Sequence, residues 1–207
     1  MERLESLQFE HYRIYQDEAL GCFSEDSILL HRFAVPKRGQ RVLDLGTGNG
    51  ILAILGDAVY KCRYVGIDIN EAQLALARKS AALNGQEIDF LLLNCKAAPD
   101  FFGHGSFECV VCNPPYFQKG NVSQNSSIAL ARHQSHAEFS DFLRSAFLLL
   151  KNGGTFYMCY PVHDLCTLLC LLRENRLEPK VLCFPRNDFV LIECKKLGKN
   201  GLRIVNP

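Results

Sequence analysis

An open, doubly wound α/β sheet is the fold class that this 207-residue chain predicts, and three observations carry the prediction. Seven short strand-like runs follow one another from residue 41, and several are continuously apolar, as strands buried on both faces of a parallel sheet are. Helix-period segments lie between the early runs, which is a βαβ series. The last two runs are split only by Pro185-Arg186-Asn187-Asp188, a turn signal between antiparallel strands. The prediction is therefore a Rossmann-like, mostly parallel seven-stranded sheet that ends in an antiparallel C-terminal hairpin.

Each element has its own warrant. Ser24-Glu25-Asp26 ahead of Ile28-Leu29-Leu30 reads as a helix start, with acids where the helix dipole favours them. Residues 1–38 are too few for a second domain, so they are expected to form a short segment packed near the site within a single domain spanning 1–207. Arg41–Leu45, Tyr64–Ile69, Asp89–Leu93, Phe107–Cys112 and Thr155–Tyr160 are the first five strands. Between the second and third, Glu71–Leu83 carries Leu74, Ala75, Ala77, Arg78 and Ala81 at helical spacing and closes at Asn84-Gly85, a C-cap signal. Phe139, Phe142, Leu143, Ala146, Phe147 and Leu150 recur at helical intervals, and Asn152-Gly153-Gly154 is expected to stop that helix. A further helix runs from after Tyr160 through Arg173, and Val181–Phe184 with Phe189–Lys195 make the hairpin.

Composition narrows the setting. No apolar stretch approaches the roughly 20 residues of a bilayer span, and the start, MERLESLQFEHY, alternates charge with apolar residues and has no signal-peptide core. A soluble, cytoplasmic protein with no membrane partner is expected. The 23 Lys and Arg against 22 Asp and Glu leave a net charge of +1, so a strong electrostatic grip on nucleic acid is not advertised. Local basic groups remain: Lys37-Arg38 with Arg41, Lys119 with Arg132 and His133, and Lys195-Lys196 with Lys199 and Arg203. The ten cysteines lie mostly in apolar runs, where a free thiol packs as a small hydrophobe in a reducing compartment. Cys109 and Cys112 flank Val110-Val111 in a strand and would point to opposite faces, so they cannot comfortably share a metal. Cys166 and Cys170, four apart on a helix, are read as core packing, and no metal is expected.

Two constellations carry chemistry. VLDLGTGNG places Asp44, Gly46, Gly48 and Gly50 at the junction of the first strand and its helix, where open α/β sheets bind ligands. The spacing is not the G-x-G-x-x-G of a dinucleotide loop, and an acid inside it repels phosphate but can engage a cation. S-adenosyl-L-methionine carries an ammonium and a sulfonium and no phosphate. Asp68, ending the second strand, is placed to accept ribose hydroxyls. The second constellation is Asn113-Pro114-Pro115-Tyr116, at the end of the fourth strand. Prolines remove donors and leave carbonyl acceptors, so an amide oxygen and a proline carbonyl can take both hydrogens of a planar amino group while the tyrosine ring stacks on its base. Such acceptors stabilise the positive charge that develops on an alkylated nitrogen.

At these residues the chain resembles the class I S-adenosylmethionine-dependent methyltransferases with an N-P-P-Y motif. With Gln16-Asp17, Phe23-Ser24, Asp26-Ser27, Leu29-Leu30, FECVVCNPPYF, Ala131-Arg132-His133 and LLLKNGGTFYM, it resembles in particular the bacterial tRNA (valine) adenine-N6 methyltransferases, over nearly the whole chain. The resemblance implies the class I methyltransferase fold, S-adenosyl-L-methionine as cofactor, tRNA as partner, and transfer of a methyl group to N6 of an adenine in the anticodon loop. It implies that Asp44, Gly46, Thr47 and Gly48 line the methionine part and Asp68 the ribose. Asp26, Ser27, Ile69, Cys95, Lys96 and Asn113 complete the cofactor set. Asn113, Pro114, Pro115 and Tyr116 act on the amine, and Tyr116, Phe117, Arg132 and His133 meet the substrate. Two positions depart from the family: Cys95 stands where an Asp usually binds the adenine amine, and Gln134 follows Ala-Arg-His in place of Glu. Residues 119–136 are a long polar segment of the kind that closes over substrate. Three alternatives stay open: methylation of a glutamine amide in a protein, methylation of an rRNA guanine amine, or a non-catalytic binding module of the same fold, to which Cys95 points.

Overall fold

The strand runs that are apolar throughout form the middle of one eight-stranded sheet. The computed structural model describes residues 1–7, 9, 11–114 and 139–206. The sheet is built from β3 (Arg41–Leu45), β4 (Arg63–Asp68), β5 (Asp89–Leu92), β6 (Phe107–Cys112), β7 (Leu150–Pro161), β8 (Leu177–Arg186), β9 (Phe189–Lys196) and β10 (Arg203–Val205). Its spatial order is β5-β4-β3-β6-β7-β9-β8-β10. The pairings β3–β4, β4–β5, β3–β6, β6–β7 and β8–β10 are parallel, and β9 runs antiparallel between β7 and β8.

Successive side chains leave opposite faces of a strand, and β6 demonstrates it. Cys109 and Val111 enter the core beneath the helices α1 (Glu25–Phe33), α2 (Ile51–Tyr60) and α3 (Glu71–Leu83). Val110 and Cys112 enter a second core beneath α4 (Ala98–Phe102), the helical residues 139–149 (α5) and α6 (Leu165–Glu174). The two cysteines thus lie on opposite faces, as their spacing predicts, and burial pushes both thiols well above their ordinary pKa. Burying Leu43, Leu45, Ile54, Leu74 or Leu143 completely contributes about 1.5–3 kcal/mol apiece, which is what seats helices on both faces.

Several expectations change. The N-terminal segment holds a two-stranded ribbon of β1 (Glu2–Ser6) and β2 (Arg13–Asp17), separate from the main sheet. The ribbon lies on α3: the Tyr15 N–H donates to Ser80 Oγ at 2.9 Å, and Asn84 brackets the Arg13 backbone at 3.0 and 2.7 Å. An eighth strand, β10, extends the expected seven. Helix α5 ends at residue 149, so Asn152-Gly153-Gly154 does not stop it; these residues lie inside β7, where pairing with β6 shifts register and Gly153 has φ 74°. Cys166 and Cys170 are exposed, because Leu168 and Leu172 give α6 its buried face and the cysteines fall on the other side. Among the described residues no helix is long and apolar enough to cross a membrane, and no three His, Cys, Asp or Glu side chains converge as metal ligands.

Candidate active site

A crevice of about 730 Å³ opens outside the carboxyl ends of β3, β4 and β6, beside the point where the chain crosses from one side of β3 to the other. The loop after β3 forms its floor. The Gly46 and Thr47 N–H groups both donate to the Ile67 carbonyl, at 3.0 and 2.9 Å, which clamps the loop to the end of β4. Gly48 has φ 54°, and a Cβ there would meet nothing within 4 Å, so this turn faces open space on the crevice side. Gly50 has φ 84°, and a Cβ there would lie 2.8 Å from the Phe90 ring.

Asp68 lines the crevice and accepts from two backbone N–H groups, Gly48 to Oδ2 and Asn70 to Oδ1, each at 2.9 Å. A carboxylate offers about four acceptor positions, so two such bonds leave capacity for hydroxyl donors. Asp44 behaves differently. It is fully buried behind the loop and does not line the crevice. Its Oδ2 accepts from Thr47 Oγ1 at 2.6 Å and from the Ala53 N–H at 3.2 Å, while Oδ1 has no partner among the described residues. Burial pushes its carboxyl up to about 7 against the pull of these two bonds.

The opposite wall comes from the N-terminal segment. Leu20, Gly21, Cys22, Phe23 and Ser24 line it, and Gln73 of α3 holds it by donating from Nε2 to the Leu20 and Gly21 carbonyls at 2.6 and 3.1 Å. The Gln73 Oε1 is buried on the crevice lining without a partner among the described residues. Ser24 caps α1 without a side-chain hydrogen bond. Ser27, one turn on, reaches the crevice; Asp26 does not, because its carboxylate is drawn to the Arg186 guanidinium of β8 at 2.7 Å.

At the rim, Asn113 is half-buried and Pro114 buried at the end of β6. Asn113 Nδ2 donates to Ser27 Oγ at 2.9 Å, and its Oδ1 accepts from the Cys159 thiol at 3.1 Å. Cys95, half-buried on the lining, has its thiol pKa raised by burial and secondarily by Asp141. Lys96 pairs with Asp141 at 2.7 Å, and both border the crevice. Of the other sequence-predicted positions, Gly46, Thr47, Gly48, Asp68 and Ile69 line the crevice. Pro115, Tyr116, Phe117, Arg132, His133 and Gln134 lie outside the described residues. Sequence reasoning missed Gln73, Asn94, Asp141 and Phe142; the last was counted as a packing residue because its helical spacing is that of the core face.

Over residues 36–199 the chain matches a family model described as a methyltransferase domain. The tRNA1(Val) (adenine(37)-N6)-methyltransferase of Shewanella sp. (strain W3-18-1) is 26% identical over 175 residues, which covers 81% of this chain and 73% of that protein. A protein of the same name from Vibrio campbellii is 29% identical over 158 residues, 76% of this chain and 66% of its own length. A solved 16S rRNA N2-guanine methyltransferase from Thermus thermophilus, in complex with AdoMet and guanosine, shares the fold with a TM-score of 0.70 at 19% identity, over 95% of this chain and 50% of that one. The chain belongs to the methyltransferase domain family, and its fold is that of the class I S-adenosyl-L-methionine-dependent methyltransferases.

Proposed function

We propose that the protein transfers a methyl group from S-adenosyl-L-methionine to the exocyclic N6 amine of an adenine in tRNA, in the anticodon loop and in the cytoplasm, as one methyltransferase domain. The observation that carries the reading is that Gly48, Asp68 and Asn113 border a single crevice. Its residues fit the cofactor. Asp68 has acceptor capacity for ribose hydroxyls, Gly48 leaves the space a side chain would fill, and the buried Gln73 Oε1 is an acceptor in want of a donor. Ile69 and Leu93 offer apolar surface for the base, with Cys95 and Lys96 beside them.

Bound there, S-adenosyl-L-methionine supplies an electrophilic methyl group. The chain's own groups do the rest. Asn113 Oδ1 and the Pro114 carbonyl accept the two amine hydrogens, and Tyr116 and Phe117 stack and hold the base, with Pro115 keeping the turn free of a donor. Arg132 and His133 meet the RNA backbone. Unpaired RNA bases are presented at little cost, whereas a duplex has to be opened to expose one, which favours an RNA loop.

Two relatives named as tRNA adenine-N6 methyltransferases support the substrate class. The test is mass spectrometry of nucleosides from valine tRNA incubated with the protein and labelled cofactor. Labelled N6-methyladenosine is expected. Label in a release-factor glutamine or in rRNA guanine instead, or no transfer at all, would overturn the reading.

A further inference from the structure

The reactive amide of Asn113 has to present oxygen, and nothing in its own shape ensures that. A carboxamide is nearly symmetric about its Cβ–Cγ bond; its NH2 and oxygen exchange places by a half-turn with almost no change in volume. With nitrogen in place of oxygen, the amine of a substrate would meet a donor. Only the neighbours can hold it, and the structure supplies one on each side: a hydroxyl, which can take or give a hydrogen and so fixes the plane of the amide, and a thiol, which favours oxygen on its own side. Ser27 Oγ, from the first turn of α1, takes a hydrogen from Nδ2 at 2.9 Å, and the Cys159 thiol of β7 gives its hydrogen to Oδ1 at 3.1 Å. Both side chains are buried, Ser27 to 4% and Cys159 to 0% exposure, so water does not readily replace them. A thiol is a poor acceptor, and a half-turned amide would therefore have its NH2 against sulfur.

We propose that Ser27 and Cys159 are positioning residues for the Asn113 amide: Ser27 holds its plane and Cys159 keeps its oxygen on the side needed to accept from the target amine. The inference rests on the function proposed above. It assigns Ser27 a task beyond bordering the cofactor crevice and gives a buried cysteine a role in turnover. The arrangement also makes the amide depend on α1, whose first turn Arg186 anchors through Asp26.

Steady-state kinetics on an unmodified valine-tRNA transcript, calorimetric affinity for S-adenosyl-L-methionine, and melting temperature test this in Ser27→Ala, Ser27→Thr, Cys159→Val, Cys159→Ser and Asn113→Ala. Losing one orienting bond is expected to lower kcat by about tenfold in Ser27→Ala and in Cys159→Val, with the KM for tRNA within about threefold of the parent in both and the cofactor Kd likewise in Cys159→Val. Ser27→Thr and Cys159→Ser keep an acceptor and a donor and are expected to recover most of kcat. Ser27→Ala added to Asn113→Ala is expected to cost nothing further. If Asn113→Ala itself turns over normally, the site reading fails. If Asn113→Ala is dead while Ser27→Ala and Cys159→Val keep kcat within twofold, the site stands and the positioning role is overturned. Equal losses in the group-retaining and group-lacking variants overturn it as well.

Discussion

Two glycines two residues apart in the loop after β3 are predicted to fail in opposite ways when each gains one methyl group. At Gly50, φ is 84° and the new Cβ would stand 2.8 Å from Phe90 and 2.9 Å from Ala77. A left-handed backbone costs an L-residue about 1–2 kcal/mol, and forcing a methyl into packed surroundings about 1–3 kcal/mol more. Gly50→Ala should therefore lose about 2–5 kcal/mol of stability. At Gly48, φ is 54° and the Cβ meets nothing within 4 Å, so only the backbone cost of about 1–2 kcal/mol applies. Both variants also stiffen the unfolded chain by a similar amount, which leaves the difference between them intact. The Gly48 methyl instead occupies space that the cofactor would use, and Gly48→Ala is expected to weaken S-adenosyl-L-methionine binding by at least about tenfold, or 1.4 kcal/mol. The chain has no tryptophan, so urea unfolding is best followed by far-UV circular dichroism, with calorimetry for the cofactor. A folded Gly48→Ala that binds within twofold of the parent, or a Gly50→Ala no less stable than Gly48→Ala, would refute the account of the loop.

The pH dependence of stability supplies another prediction, because a buried group and a half-buried one titrate over one interval with opposite signs. Asp44 is raised from 3.8 to about 7 by burial, so the native state holds a proton the unfolded chain has lost, and its contribution falls as pH climbs from about 4 to about 7. His31 is lowered from 6.5 to about 4, again by burial, and its contribution falls as pH drops from 6.5 towards 4. Each amounts to roughly 3–4 kcal/mol at 1.36 kcal/mol per unit. Asp44→Asn should steepen the rise of stability between pH 4 and 6.5, and His31→Gln should reverse it; identical profiles in both variants and the parent contradict the assignment. Asp68→Ala removes the acceptor of the Gly48 and Asn70 N–H groups as well as that proposed for the ribose, and cofactor affinity is expected to drop about a hundredfold. Calorimetry showing parent-like affinity would remove Asp68 from the site.

The sheet interior was legible because its strands obey a local rule. Val42, Leu43 and Leu45 in β3, and Val110 and Val111 in β6, are buried and leave no polar face to confuse the pattern. The ribbon of β1 and β2 was not read, because its first strand, Glu2-Arg3-Leu4-Glu5-Ser6, is exposed along nearly its whole length and carries a single apolar residue, with no period-2 signal. Cys166 and Cys170 were misread because four-residue spacing fixes a shared face of a helix but not which face; Leu168 and Leu172 decide it. Gly48, Asp68 and Asn113 border one crevice because each lies at or just beyond the carboxyl end of a neighbouring parallel strand. Spacing could not foresee that Asp44 turns behind the loop, that Arg186 draws Asp26 away, or that Gln73 ties down residues 20 and 21, because each depends on a partner distant in the chain.

The bonds from Asn113 to Ser27 and from Cys159 to Asn113 bridge 86 and 46 residues of chain, and the one from Arg186 to Asp26 bridges 160. Contacts of such separation form slowly, since a long loop has to close before they repay its lost freedom. On the ribosome, the glycine loop and Asp68 emerge long before the hairpin that steadies α1. The proposed site is thus completed late: the residues assigned to the donor leave the ribosome first, and Asn113 and Asp26 meet their partners only once the later strands have followed.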